Sequence, residues 1–535
     1  MTLRALALLA VLHLLAAAWF LHACGPGFPL DDAWGHLVYG RALATWQGLA
    51  YNPGQPEAGV TSPLWTYLCA LPAGLVEWHV IARPDVAVRL LGLLFGLAGT
   101  VVGARLAARA GHWPALAAAL LLTFDPLMLA GRFSGMELPL FALLSLLFVE
   151  AQLDDRPPML GWVCGLSILT RPEGLLLAAL AAPRQLSSRA RVRAFVPPVL
   201  VCVLPFLAWN LWAAGQPWPN TWSNKVELVT QPTELAATLG ALGGDTGLGW
   251  ALPLLLAAGA VSLEGGEHRL ARMLLVPGLA LLGGVLLTRR MPLGDFPTPR
   301  VPFYFERYAL PAWPLLLVVV AAGISSLVRT AWSGLFCRPG AALVLVAPLA
   351  LVTGLAHHAP RHMAEVTLRF SQECADVEAL QVAAGQWIDE HLSRTAVVAT
   401  HDAGAVRYFG RRHVLDIYGN NDARMAELLR AGERAVNLRD AEAAARANAA
   451  ILAYLHSCDP DALACLPMRY ASGHSPELAE LLPRLPPEQA AAVLSMSEDY
   501  ASLLGLTRRA VTFHVDRSAV MGSPVHQDFA VFVRP

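Results

Sequence analysis

From residue 3 to residue 357 long apolar runs alternate with short polar breaks, and beyond Arg361 the runs shorten and charged residues return. A hydrocarbon core about 30 Å thick takes roughly 20 apolar residues in helix, and fewer where a helix is broken inside protein. By that measure the pattern predicts eleven spans, at 3–23, 83–107, 114–131, 137–152, 158–170, 172–183, 194–214, 247–263, 271–288, 308–327 and 341–357, two of them short. The apolar stretch 63–80 is left out of the count. It has only about seventeen residues, ends in Glu77 and His79, and reads as a helix lying on or dipping into one membrane face. After Arg361, short apolar runs at 395–400, 414–417, 450–455, 510–515 and 529–533 predict strands. Helical periods cover 375–391, 422–431 and 439–447. The expected architecture is a polytopic α-helical membrane part over 1–358 and an α/β domain over 359–535, with a long polar loop at 25–82.

Composition supports the membrane reading. Hydrophobic residues make up 56% of the 535 and charged residues 15%, against roughly 25% charged in soluble domains; the mean hydropathy is +0.48. A net charge of −1 gives no field that would recruit nucleic acid. Arginines gather at 105 and 109, at 184, 189, 191 and 193, at 269 and 272, and at 329 and 338, which marks four cytoplasmic loops. With the N-terminus inside, eleven spans place all four there and put 25–82, 215–246, 289–307 and everything after 358 outside, as for a bacterial inner-membrane protein with a periplasmic C-terminal domain. The first span ends in Leu21, His22, Ala23 and Cys24, like a lipoprotein cleavage site, but its length and the histidine favour an uncleaved helix. Five of the eight cysteines lie in or near spans, where a small apolar side chain is the ordinary explanation; Cys458 and Cys465 flank DPDALA, a spacing that leaves a disulfide open.

That topology gathers the out-of-place polar residues on one face. Asp31 and Asp32, Tyr51, Asn52 and Glu57, Glu137 in SGME, Arg171 between the two short spans, Asn220 and Lys225, and Arg307 with Tyr308 all fall outside. Taken singly, each has an ordinary explanation as a span-end breaker or a snorkelling charge. Taken together they resemble the lining of one site, because ionisable groups at membrane depth are costly and tend to line a substrate path or pair with one another. The chain has no phosphate loop or dinucleotide fingerprint, and nucleotides are scarce outside the cell. A donor there must carry its own activation, as a lipid-linked phosphosugar does. Its leaving phosphate needs cations such as Lys225 and Arg307, and the acceptor hydroxyl needs a carboxylate, Asp31 or Asp32, to take its proton. Crowding the two carboxylates would raise the pKa of one. No cofactor is demanded, although two carboxylates and a phosphate would make a hard-oxygen site for a divalent cation.

The ordered motifs DD, YNPG, VTSPLW, SGMELPL, TRPEGLL, PNTWSNK, RYALPAWP and HDAGAVRYFGRRHVLDIYGNND resemble the GT-C membrane glycosyltransferases over about residues 1–425. They are most like the branch containing the terminal arabinofuranosyltransferases of the mycobacterial cell wall. The resemblance implies a polyprenyl-phosphate sugar donor, an envelope glycan, lipid or protein acceptor, and an acidic base in the first outer loop, here Asp31 or Asp32 with a slight lean to Asp31. It makes Lys225, Arg307 and Arg171 candidates for the donor phosphate and Glu137, Tyr51, Asn52, Glu57, Asn220 and Tyr308 candidates to orient substrate; Glu137 and Arg171 could equally be a structural ion pair. Asp402 and Asp422 are candidates to meet acceptor, against an ordinary strand-end and helix-cap reading. Trp34, His36 and Leu138 depart from the family pattern and put arabinofuranose in question as the sugar. Two rivals remain: a transporter or flippase of lipid-linked glycans, which would spread polar residues through the bilayer depth, and a non-catalytic assembly protein.

Overall fold

The computed structural model describes residues 3–221, 251–264, 268–288, 307–337, 342–437, 441–465, 500–516 and 526–535. The helical part begins with α1 (Leu3–Cys24), α2 (Asp31–Ala44), a small hairpin of β1 (Ala50–Asn52) and β2 (Gln55–Pro56), and α3 (Pro63–Glu77). It continues through α4 (Asp85–Ala108), α5 (His112–Phe124), α6 (Pro126–Phe133), α7 (Leu138–Leu153), α8 (Pro157–Thr170), α9 (Gly174–Gln185) and α10 (Arg189–Ala214). Then follow α11 (Ala251–Glu264), α12 (His268–Thr288), α13 (Trp313–Cys337) and α14 (Ala342–Val377).

Among the described residues, three helices are long and apolar enough to cross a membrane: Arg4–Cys24, Asp85–Ala108 and Arg189–Ala214. The expected span 114–131 is instead a pair, α5 and α6, bent by 51°. The cause is the Asp125-Pro126 step: proline suits the first turn of a helix, and Asp125 caps α6 by accepting the Met128 N–H at 3.0 Å and the Trp313 indole N–H at 3.0 Å. A row of glycines lets α4 pack tightly on this break. A Cβ on Gly92 would stand 1.9 Å from the Arg132 carbonyl oxygen, so no larger residue fits without moving α6.

The expected boundary at 358/359 falls inside a continuous helix. α14 runs on through one π-type turn (Glu378–Val382) into α15 (Ala383–His391). Beyond it come β3 (Val397–Thr400), α16 (Ala405–Gly410), β4 (His413–Asp416), α17 (Ala423–Asn437), α18 (Ala441–Cys458), β5 (Ala462–Cys465), α19 (Tyr500–Leu503), β6 (Arg508–Asp516) and β7 (His526–Val533). The sheet order is β4-β3-β5-β7-β6, parallel across β4, β3 and β5 and antiparallel across β5, β7 and β6.

One predicted strand is corrected. Residues 450–455 belong to α18, where the apolar run continues a helix rich in alanine, and Ile451 and Leu455 pack with Met425 and Leu428 of α17. The strand that the sequence did not announce is β5, with the sequence Ala-Leu-Ala-Cys. It is buried throughout, as a central strand must be, and has no β-branched residue or alternation to signal it.

Candidate functional site

α2 presents its first turn at the junction between the helical part and the sheet, and its two carboxylates turn to different partners. Asp31 accepts the backbone N–H groups of Gly404 and Ala405, both at 2.7 Å, and so caps the start of α16. Burial pushes its carboxyl up, to about 8, with the neighbouring Asp402 charge adding to the effect; the two N–H bonds pull the other way without winning. Asp402 in turn accepts from the Gln381 amide at 2.8 Å, on the π-type turn.

Asp32 faces the helical part and pairs with the Arg307 guanidinium at 2.8 Å. The Asp32 side chain is 35% exposed, while Arg307 is 3% exposed. From Arg307 a chain of contacts runs inward. Its Nη2 donates to the Tyr308 hydroxyl at 3.2 Å, and the guanidinium lies 5.1 Å from the Tyr308 ring centre. On the other side Arg171 approaches the same ring at 5.9 Å and is held by Glu137 and by Glu173, the latter at 3.0 Å. His36 closes the circuit: its Nε2 stands 3.5 Å from Glu137 and its Nδ1 3.0 Å from the Thr66 hydroxyl. His36 follows Asp32 by one helical turn, so both sit on one face of α2. Arg171 lies between two helices, and its carboxylate partners raise its pKa over the opposing cost of burial.

The structure therefore gathers Asp32, Glu137, Arg171, Arg307 and Tyr308 into one cluster, with Asp31 and Asp402 beside it. The other expected site residues go elsewhere. The Tyr51 hydroxyl donates to the Ala403 carbonyl. The Asn52 amide donates to the Val414 carbonyl and accepts the Val414 N–H, both at 2.9 Å, so it pairs with the edge strand β4 as a strand would. Asn220 bonds through its backbone N–H to Ala58 at 2.9 Å and accepts from Gln216 at 2.7 Å. Asp422 caps α17 by accepting the Met425 N–H at 2.9 Å and also accepts from the Tyr454 hydroxyl at 2.8 Å, which supports its structural reading. Glu57 lies near Asp422 and Asp416, and its carboxyl is pushed up to about 8, by burial first and by Asp422 second. Lys225 lies outside the described residues.

Sequence reasoning missed the clamp beside the cluster. Arg83 grips Glu378 of the π-type turn with two bonds, at 2.9 and 2.6 Å, and Arg89 holds the carbonyls of Gly25 and Gly27 ahead of α2. The signal was present as two arginines at the start of a span, but a charge at a helix end has too many ordinary explanations. Trp34 is fully buried, 5.3 Å from the Tyr408 ring and 4.8 Å from the Phe409 ring, and so packs α2 on α16. No group of three or more metal-binding side chains occurs among the described residues. Asp31 and Asp32 turn to different protein partners.

The crystal structure of ArnT from Cupriavidus metallidurans bound to undecaprenyl phosphate superposes with a TM-score of 0.54 at 12% identity, over 99% of this chain and 98% of that one. The archaeal oligosaccharyltransferase AglB from Archaeoglobus fulgidus, in complex with an inhibitory peptide and a dolichol-phosphate, superposes with a TM-score of 0.56 at 11% identity, over 98% of this chain and 74% of that one. Arabinofuranosyltransferase AftD from mycobacteria gives 0.47 at 14% identity, over 100% of this chain and 40% of that one, too loose a match to bear on the sugar transferred. A family model described as a domain of unknown function (DUF8728) matches residues 370–502. No curated protein matches the chain by sequence. The first two superpositions show a GT-C fold: a membrane helical protein with a C-terminal domain.

Proposed function

We propose that the chain is a membrane glycosyltransferase that moves a sugar from a polyprenyl-phosphate donor to an envelope glycan, lipid or protein acceptor, with inversion. The observation that carries this reading is the partly exposed Asp32 paired with the buried Arg307 in a GT-C fold. The pair has the chemistry of a resting state. A donor phosphate would compete with Asp32 for the guanidinium, and its arrival would release a carboxylate beside the sugar to accept the acceptor's proton. Arg171, fixed by Glu137 and Glu173, would add positive charge near the leaving phosphate, and Tyr308 would hold the two guanidinium groups apart.

The base is therefore assigned to Asp32, against the slight lean to Asp31 in the sequence. Both Asp31 oxygens are occupied by backbone N–H groups, which leaves that carboxylate poorly placed to take a proton from substrate. Asp402 is the acceptor-side candidate that stays near the cluster. The proposal keeps eleven spans, a cytoplasmic N-terminus and a periplasmic α/β domain in a bacterial inner membrane, with the site open to the outer face.

The test is transfer by the purified protein in liposomes, from a panel of polyprenyl-phosphate sugars to envelope extract. Asp32→Asn is expected to lower the rate by about 10²- to 10⁴-fold, the range for a lost general base. Full activity in a folded Asp32→Asn protein would end the assignment. Mass spectrometry of lipid-linked sugars and envelope glycans from cells with and without the gene would identify donor and product together.

A further inference from the structure

A pocket opens away from the Asp32 cluster, where the last turns of α2 meet β1 and α16. It encloses about 160 Å³, and its lining includes three arginines, Arg41, Arg407 and Arg411, with Thr45 and Gln47. Arg41 lies some 15 Å along α2 from Asp31, at roughly 1.5 Å per residue, so the two sites are distinct.

Among the described residues, the charges in this pocket do not balance. Arg41 and Arg411 share one carboxylate, Glu77, at 3.0 and 3.1 Å. Arg41 also donates to the Tyr408 carbonyl at 2.9 Å and lies 3.9 Å from that residue's ring centre. Arg407 is only 8% exposed, donates its Nε to the Tyr51 carbonyl at 3.2 Å, and has no carboxylate within ion-pair distance among the described residues. Burial, and then the positive charges of Arg41 and Arg411, lower its pKa to about 10. A buried guanidinium without a counter-ion is costly to keep, and three arginines around a small polar cavity match the planar, multi-donor recognition of an oxyanion.

We propose that this pocket is a binding site for a phosphate group, with Arg407 as the central ligand and Arg41 and Arg411 beside it. The phosphate can come from free inorganic phosphate or from the headgroup of an anionic lipid, since Trp46, between Thr45 and Gln47, is 96% exposed at the pocket's edge. The inference does not depend on the transfer reaction.

The full chain in detergent is titrated with inorganic phosphate at constant ionic strength, by calorimetry and thermal shift. The Arg307→Gln background weakens phosphate binding at the other cluster, and the difference made by Arg407→Gln in that background reads this pocket alone. Saturable binding is expected there, weakened at least about tenfold by Arg407→Gln and several-fold by Arg411→Gln, as loss of charge-assisted bonds implies. A parallel arm reconstitutes the chain with phosphatidylglycerol or with phosphatidylcholine and counts retained lipid by native mass spectrometry. Retention of phosphatidylglycerol that Arg407→Gln loses, without binding of free phosphate, assigns the source to a headgroup. Where Arg407→Gln does not fold, the partly exposed Arg411→Gln decides. Equal behaviour of folded variants and parent toward both phosphate and phosphatidylglycerol overturns the proposal.

Discussion

Successive residues on a helix point about 100° apart, and that rotation divides the work of Asp31 and Asp32. One carboxylate fastens the sheet part through the N–H groups of Gly404 and Ala405; the other faces Arg307. Asp31→Ala is thus expected to speed hydrogen exchange at the Gly404 and Ala405 amides while leaving the Arg307 region protected, and unchanged exchange there would remove its docking role. Glu57 offers a pH test. Its carboxyl is raised in the folded chain to about 8 from an ordinary 4.5, so the folded state holds a proton that the unfolded state gives up as pH climbs through that interval. Folded stability therefore falls from about pH 4.5 to about pH 8 on account of this group. Glu57→Gln should be indistinguishable from the parent below pH 4.5 and melt higher above pH 8. The paired acids and Arg171 were legible in the sequence because charge beside apolar runs is conspicuous. Which carboxylate faces which partner was not, because those partners lie more than two hundred residues away.

At the scale of elements, the hairpin segment after α2 closes the edge of the sheet with a side chain instead of a strand. Asn52 supplies the donor and the acceptor that an edge residue of β4 would otherwise lack. Asn52→Ala leaves the buried Val414 N–H and carbonyl without protein partners, at about 1–3 kcal/mol for each unsatisfied group, and should lower the melting temperature and expose β4 to proteolysis; an unchanged melt would mean that water replaces the amide at little cost. Gly404 is the tightest point of the same junction. An added Cβ would stand 2.1 Å from the Asp31 carbonyl oxygen, so Gly404→Val should push α16 off α2 and lose transfer activity even with Asp32 intact. The long apolar helices and strands β3, β4, β6 and β7 could be read from periodicity. The failures at 450–455 and 462–465 share one cause: a four- to six-residue apolar run has no period of its own, and its neighbours decide whether it becomes helix or strand.

Across the whole molecule, the unbroken course from Ala342 to His391 makes the two parts mechanically continuous, and the Arg83 and Glu378 pair locks that course to the start of α4. Because Asp31 caps α16 and the adjacent Asp32 pairs with Arg307, the side of the membrane that holds the sheet also holds the Asp32 cluster. In the proposed topology that side is the exterior, and the choice of donor depends on it, since a site facing the cytoplasm would have nucleotide sugars at hand and no need of a lipid-borne phosphate. A membrane-impermeant maleimide on intact spheroplasts decides the matter, with Cys458→Ser as the background. A cysteine at Trp46, 96% exposed beside α2, is expected to label at once. One at Ser187, exposed in the loop before α10, should label only after lysis. The opposite pattern would reverse the orientation and turn the search for substrate toward soluble nucleotide sugars, while leaving the pairing of Asp32 with Arg307 as the place to look for the chemistry.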